Sequence, residues 1–268
     1  ELSTGRREGK VNYIKVEIDS EGVALLVLDR PEVLNAMHVG LMAEAIETMQ
    51  RLSVDDDVRA LVVTGSGRAF CAGADLAAVA DNPDADENVG KRVAAQMQSH
   101  FNPFMERLYE FPKPTICAVN GIAAGGGAAV ALCADVVLAS SSAGLKFVQV
   151  QHLGIVADLG ANWLLPRIAG RSRAMAACLL GQTIDAAQLL EWGMVLECVE
   201  PDELLPRAKE LGVQLGRLPA QTVLSTRSLI DEASRESYAT LLERERLAQR
   251  ELCDLPVFMQ SVKRFTSA

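Results

Sequence analysis

The sequence is poor in the features that mark several common protein classes. Aromatic residues make up 4% of its 268 residues, and its six cysteines stand singly, with no Cys-x-x-Cys pair. Its three histidines, His38, His100 and His152, are too scattered for a metal centre, so we predict no metal site. Neither a Gly-x-Ser-x-Gly nor a Gly-Lys-Ser/Thr motif occurs. This argues against a nucleophile-elbow hydrolase and against a P-loop nucleotide-binding protein.

The chain also lacks an excess of positive charge and a long apolar run. Its formal net charge is -9, so it has no general basic surface for phosphates, and nucleic acid is not expected as a partner. The longest weakly polar run, Gly121 to Ala134, is too short and too rich in glycine to span a bilayer, so no membrane association is expected. Single thiols are typical of a reducing compartment, and no charged-then-apolar leader opens the sequence. We therefore expect a cytoplasmic protein.

Two glycine-rich segments each follow an apolar strand. Residues 114–119 predict a buried strand, Asn120 and Gly121 a turn, and residues 125–127, all glycine, the start of a helix of small residues. Residues 60–64 predict a second strand, followed by a glycine-containing turn and a second helix start. A Gly/Ala helix alone is typical of tight core packing. Two such units in one domain can instead aim two free N–H groups at one oxygen, as an oxyanion hole requires.

Three motifs in combination resemble one family. They are Arg68 to Leu76 (Arg-Ala-Phe-Cys-Ala-Gly-Ala-Asp-Leu), Lys113 to Gly127, and Leu164 to Gly170 (Leu-Leu-Pro-Arg-Ile-Ala-Gly). This pattern resembles the enoyl-CoA hydratase/isomerase (crotonase) superfamily, from about Tyr13 to the C-terminal helices. The resemblance implies an α/β fold, a ClpP-like spiral of ββα repeats over residues 11–200, and a C-terminal helical trimerisation region over residues 201–268.

The resemblance also implies a ligand and an assembly. The substrate would be an acyl-CoA thioester, and no cofactor is expected beyond the coenzyme A that belongs to the substrate. The backbone N–H groups of Ala74 and Gly126 would form the oxyanion hole. The chain would assemble as a homotrimer, usually paired into a hexamer.

Asp158 is the candidate acid/base. It lies among apolar and glycine residues in the segment from Leu153 to Gly160, a setting that can desolvate a carboxylate and raise its pKa towards that of a useful base. The alternative is an Asp that caps the helix predicted over residues 161–168. The Gly-x-x-x-Asp-x-Gly pattern is similar to dienoyl-CoA isomerases and ring-epoxide phenylacetyl-CoA isomerases. In those subgroups the matching Asp shuttles a proton.

The sequence departs from the family's hydratases at both of their glutamates. The first position is Ala129, and the second falls on Val150 or Gln151. Adding water across a double bond needs a base and an acid, whereas a proton shift needs one group, so an isomerase is favoured over a hydratase. The resemblance to chlorobenzoyl-CoA dehalogenase is weaker, because Gln151 replaces an expected Trp. A non-catalytic acyl-CoA binding protein on the same fold is a further alternative.

Several other residues are expected to contact the substrate. Residues 33–37 match a loop that contacts CoA largely through its backbone, and the predicted helix over residues 91–110 lines either the acyl pocket or the core. The acidic segment 80–90 predicts a mobile surface loop near that pocket. Lys263 either reaches a CoA phosphate or is an exposed lysine near the chain end. The predicted substrate contacts are Asn35, Ala36, Ala72, Asp75, Leu76, His100, Gly125, Ala129, Gln151 and Lys263.

Overall fold

The computed structural model describes residues 13–80 and 88–267, which form two sheets and a set of covering helices. The strands within this part of the chain are β1 (Ile14–Ile18), β2 (Val23–Leu28), β3 (Ala60–Gly65), β4 (Ala69–Cys71), β5 (Thr115–Val119), β6 (Ile122–Ala124), β7 (Val136–Ser140), β8 (Gly144–Lys146), β9 (Ile184–Asp185) and β10 (Glu197–Val199).

The α-helices of the described residues lie between pairs of strands and after the last strand. They are α1 (Val39–Val54), α2 (Leu76–Ala80), α3 (Val89–Gln96), α4 (Asn102–Tyr109), α5 (Gly126–Ala131), α6 (Ala161–Ile168), α7 (Gly170–Leu180), α8 (Ala186–Glu191), α9 (Leu204–Gly216), α10 (Ala220–Glu232), α11 (Tyr238–Cys253) and α12 (Pro256–Thr266).

The sheets divide the strand pairs between them. The larger sheet has the order β1-β2-β3-β5-β7-β10, parallel except for the β1–β2 hairpin. The smaller sheet has the order β4-β6-β8-β9, parallel except for β8–β9. The first strand of the pairs β3–β4, β5–β6 and β7–β8 therefore lies in the large sheet and the second in the small one, with helical segments following each pair. This confirms the predicted spiral of ββα repeats.

The large sheet is covered on both faces, which explains its continuous apolar strands. Because side chains alternate along a strand, Leu26, Val63 and Cys117 face the main core between the sheets. Their neighbours Leu25 and Val62 face the opposite side, where Leu204, Ala208 and Leu211 of α9 pack on them. Helix α9 is thus part of the sheet's covering layer. The predicted division at residue 200 stays a prediction.

The helical segment before β5 contains a feature that the periodicity did not reveal. Helices α3 and α4 are joined by a π-helical turn, Met97–Phe101, so the predicted helix over residues 91–110 is continuous but irregular. A second π-helical turn, Gln149–Leu153, follows β8. π-helical turns are rare in proteins, and those that do occur often lie at functional sites. Both turns border the cavity described below.

The remaining predictions concern the acidic segment and the helices of the C-terminal region. Residues 81–87, the centre of the predicted acidic loop, lie outside the described residues. Helices α10, α11 and α12 contain no buried residue within the described chain. None of the helices formed by residues 13–80 and 88–267 is both long enough and apolar enough to cross a membrane.

Candidate active site

A cavity of about 180 Å³ lies where the two glycine-rich segments meet. Its walls come from the segment between β4 and α2, the start of α5, helices α2 and α3, both π-helical turns and the loop that precedes α6. Asp158 is the only ionisable side chain among the described residues that line it. The lining residues are Met37, Ala72, Gly73, Ala74, Leu76, Val79, Val93, Gln96, Met97, Phe101, Gly125, Gly126, Val148, Gln149, Leu153, Ile155, Asp158 and Leu159.

The structure brings the two predicted oxyanion donors to this cavity. The Met37 N–H donates to the Gly73 carbonyl (2.7 Å), and the Asp75 N–H donates to the Met37 carbonyl (2.8 Å). Because successive N–H groups of an extended chain point to opposite sides, the Ala74 N–H points away from Met37. Gly126 is the first residue of α5, so its N–H has no acceptor within the helix.

Glycine at position 73 lets these two segments come close. A Cβ at Gly73 would lie 2.6 Å from the Ala124 carbonyl oxygen and 3.4 Å from the Gly126 nitrogen, and its φ of +91° also disfavours any other residue. Strand β4 pairs with β6 directly before this point. The two peptide segments are thus adjacent, which is the arrangement that two N–H groups need to share one oxygen.

An ion pair holds the segment that carries Ala74. Both terminal nitrogens of Arg30 donate to Oδ2 of Asp75 at 3.0 Å, and Nη1 also donates to the Ala36 carbonyl at 2.5 Å. The two side chains are only 15% and 14% exposed. The pKa of Asp75 is lowered: burial opposes this, and the Ala78 N–H and Arg30 favour the ionised form. Arg30 therefore joins the predicted CoA loop, through Ala36, to the segment that carries Ala74, through Asp75.

Asp158 lies in the wall of the cavity, in the loop between the second π-helical turn and α6. Burial raises the pKa of its carboxyl above 3.8, and a hydrogen bond from Gln149 partly opposes this. The helix-capping alternative is wrong. Gly160 is the N-cap of α6, and no described side chain caps that helix. A partly desolvated carboxylate in an otherwise uncharged wall is a suitable general base.

Gln149 is the residue that sequence reasoning missed. Its Nε2 donates to Oδ1 of Asp158 at 3.1 Å, and its side chain is buried at 4% exposure. The two positions that the sequence matched to the second glutamate do not face Asp158: neither Val150 nor Gln151 lines the cavity. Gln151 lies against Gly181, at the end of α7. The π-helical turn directs Gln149 towards the cavity, and no motif in the sequence signals such a turn.

The other predicted contact residues differ in their position relative to the cavity. Ala72, Leu76 and Gly125 line the cavity. Asn35 and Ala129 are fully buried, so their predicted substrate contacts do not agree with the structure.

The Asn35 side chain instead forms hydrogen bonds that connect two loops of the backbone. Its Oδ1 accepts from the Arg30 N–H at 2.9 Å, and its Nδ2 donates to the carbonyls of Ser66 and Ala69, both at 2.9 Å. These contacts tie the predicted CoA loop to the turn between β3 and β4. The role of Asn35 is therefore to shape the loop from within, while its neighbour Met37 reaches the cavity.

Four further predicted residues lie outside the cavity lining. The Ala36 side chain is buried at 7% exposure, and Asp75 is engaged by Arg30. His100 contacts the Ser99 hydroxyl through Nδ1 at 2.7 Å, while the neighbouring Met97 and Phe101 reach the cavity. Lys263 is exposed in the last turn of α12. The contacts of these four residues with the substrate stay predictions.

The fold and the arrangement of the cavity define a protein of the crotonase class. Residues 19–266 match the enoyl-CoA hydratase/isomerase family. The chain belongs to this family.

Relatives with different activities cover most of the chain. It is 40% identical to 1,2-epoxyphenylacetyl-CoA isomerase of Escherichia coli K12 over 236 residues, 86% of each chain. It is 33% identical to 4-chlorobenzoyl coenzyme A dehalogenase-2 of an Arthrobacter species, covering 87% of this chain and 83% of the dehalogenase. The crystal structure of an enoyl-CoA hydratase from Polaromonas sp. JS666 superposes with a TM-score of 0.86 at 28% identity, covering 95% and 96% of the two chains.

Proposed function

We propose that the protein is an acyl-CoA isomerase in which Asp158 is the single acid/base. The observation that carries the proposal is that Asp158 is the only ionisable side chain among the described residues around the cavity. A proton shift needs one group that takes a proton and returns it, whereas hydration needs a second group to activate water. The similarity to the E. coli isomerase supports the same choice.

The proposed reaction uses three groups: the N–H groups of Ala74 and Gly126 and the carboxylate of Asp158. The thioester oxygen would accept hydrogen bonds from the N–H groups of Ala74 and Gly126. Ionised Asp158 would then remove a proton from the acyl chain, and the electron pair of the broken C–H bond would move to the thioester oxygen as an enolate. Fixed N–H donors stabilise that developing charge without having to reorganise. Return of the proton from Asp158 to another carbon completes the shift.

The test is Asp158→Asn, which keeps the size of the side chain but removes the base. We expect CoA thioesters to bind and isomerisation of a 3-enoyl-CoA to fall by about a hundred- to ten-thousandfold. Solvent-deuterium exchange at the α- and γ-carbons should fall with it. The matched control is Asp185→Asn. Asp185 caps α8 on the surface, and Asn is an equally good cap, so activity should not change. Retained exchange in Asp158→Asn would refute the single-base mechanism.

Hydration is the second candidate, since the structural relative from Polaromonas is a hydratase. It would need an acid or base besides Asp158. A panel of CoA thioesters that includes 2-enoyl-CoA, 3-enoyl-CoA and epoxidised phenylacetyl-CoA separates the candidates in one assay. Faster hydration of the 2-enoyl-CoA than isomerisation of the 3-enoyl-CoA would favour the hydratase. Binding without turnover of any member would favour a binding protein.

We also propose that copies of the chain associate through the C-terminal helices as a homotrimer or hexamer. Helices α10, α11 and α12 expose large apolar side chains, among them Ile230 (68%), Tyr238 (79%) and Phe265 (86%). A groove of about 700 Å³ also runs between these helices. Apolar surface of this extent on three neighbouring helices is typical of a protein–protein interface.

A further inference from the structure

The hydrogen bond from Gln149 is the only one that the Asp158 carboxylate accepts from another side chain of the described residues. Gln149 Nε2 donates to Oδ1 of Asp158 at 3.1 Å. The Gln149 amide lies beside Gly125, since a Cβ built on Gly125 would be 3.6 Å from Nε2. The amide is thus held between the start of α5 and the carboxylate. It contacts one carboxylate oxygen, Oδ1, and leaves Oδ2 without a side-chain hydrogen bond among the described residues.

The other end of the same amide indicates why a glutamine stands here. Gln149 Oε1 is buried, and no described group donates a hydrogen bond to it. A buried acceptor without a donor destabilises a fold, so an apolar residue of the same length would pack at this position at least as well. The reverse orientation of the amide would set Oε1 against an ionised carboxylate oxygen, which is repulsive. Gln149 therefore contributes to the site through the hydrogen bond that its N–H group donates to Asp158.

We propose that Gln149 is a positioning residue that occupies Oδ1 of Asp158 and thereby assigns Oδ2 as the oxygen that carries the transferred proton. The proposal rests on the proposed function, in which Asp158 is the base. The two oxygens of a free carboxylate are equivalent. A donor fixed on Oδ1 stabilises negative charge there and restricts rotation of the group.

The proton balance is then simple. In the first half of the reaction a C–H bond breaks, an Oδ2–H bond forms, and the electron pair moves to the thioester oxygen. In the second half the Oδ2–H bond breaks and a new C–H bond forms at another carbon. Asp158 ends ionised, with its Oδ1 still accepting from Gln149. Because one oxygen takes and returns the proton, both transfers occur on the same face of the substrate.

The same helical turn provides a matched control. Gln151 is two residues further on and is exposed. Its side chain lies against the end of α7, where a Cβ at Gly181 would be 2.7 Å from Gln151 Oε1. It does not line the cavity. Changing Gln149 or Gln151 to methionine removes the same amide from the same turn, but only the first change removes a donor from Asp158.

The experiment compares Gln149→Met and Gln151→Met in two measurements. The first is a ¹³C NMR titration of the Asp158 carboxyl in the substrate-free protein, with the signal assigned by its loss in Asp158→Asn. A hydrogen bond from Gln149 favours the ionised carboxylate, so its removal should move the titration midpoint upwards by about one pH unit or more. The second is the dependence of kcat on pH. Its acid limb should move upwards by the same amount, with KM nearly unchanged.

The control and a stability measurement complete the test. Gln151→Met should titrate and turn over like the wild type. The thermal midpoint of Gln149→Met at neutral pH should move little, because loss of the buried Oε1 without a donor and loss of the N–H that stabilises the ionised carboxylate have opposite effects on stability. A purely structural role would predict no movement of the Asp158 titration. If Gln149→Met does not fold, Gln149→Asn shortens the side chain so that the donor cannot reach, and the same titration shift is expected.

The outcomes separate this inference from the proposed function. An unchanged Asp158 titration in Gln149→Met, or an equal shift in Gln151→Met, would overturn the role of Gln149. The titration contains no substrate, so it does not depend on which reaction is catalysed. Retained deuterium exchange in Asp158→Asn would instead remove the isomerase mechanism. In that case a shifted titration would still establish the contact but not its catalytic purpose, and the assignment of Oδ2 would be rejected with the mechanism.

Discussion

Adjacent glycines at the start of α5 provide a sharp test of how the cavity is built. A Cβ added at Gly126 would lie 2.7 Å from Leu159 Cδ1 and 3.0 Å from Met37 Cε, which are the far ends of two flexible side chains. A Cβ added at Gly127 would instead run into the backbone carbonyl of Cys71 in β4. We therefore predict that Gly126→Ala impairs activity and spares the fold, whereas Gly127→Ala impairs the fold.

The magnitudes follow from these contacts. Overpacking costs about 1–3 kcal/mol, and Ala in place of a helical Gly returns up to about 1 kcal/mol. Gly126→Ala should thus lose no more than about 2 kcal/mol of the free energy of unfolding. Gly127→Ala forces β4 and α5 apart and should lose about 3 kcal/mol or more.

The effect of Gly126→Ala on activity should be larger than its effect on stability. Leu159 is next to Asp158 in the chain, and the Met37 backbone is hydrogen-bonded to the segment that carries Ala74. Movement of these two side chains away from the new Cβ should therefore displace both Asp158 and Ala74. A displacement of about 1 Å can lower a rate by about a hundredfold.

Urea unfolding followed by tryptophan fluorescence, together with kcat/KM for isomerisation, checks both variants. Full activity in Gly126→Ala would refute the packing argument for the cavity. Wild-type stability in Gly127→Ala would refute the close approach of β4 and α5.

Two further predictions concern charge and assembly. Burial raises the pKa of Asp158 in the folded state, so the stability contribution of this group falls as pH rises from the ordinary value of 3.8 through the raised pKa. Asp158→Asn should therefore have a higher thermal midpoint than the wild type at neutral pH, with a margin that shrinks as the pH approaches 3.8. Light scattering should give three or six times the chain mass of 28.8 kDa, and a monomer would contradict the proposed association through α10–α12.

Local pattern was sufficient to predict most of the secondary structure. The predicted strand at residues 60–64 is part of β3. The structure also contains two features that short-range sequence spacing determines: His38 is the N-cap of the amphipathic helix α1, and Asp185 and Gln188 form a capping box at the start of α8. These features depend on residues within a few positions of each other, so the sequence contains the physical information that determines them. The short strand β6, between the Asn120–Gly121 turn and α5, was missed because its three residues form a strand only by pairing with β4 and β8.

The site shows the same division between local and tertiary information. The apolar and glycine neighbours of Asp158 were sufficient to predict a desolvated carboxylate with a raised pKa, and burial does raise it. The sequence matched Val150 or Gln151 to the second glutamate of the hydratases, and only the tertiary structure showed that Gln149 lies beside Asp158. A π-helical turn changes which side chains face inwards, and this turn packs against α7, which is distant in sequence from the strand before it. In the same way, the Arg30–Asp75 pair joins residues 45 positions apart, and no local spacing encodes such a contact.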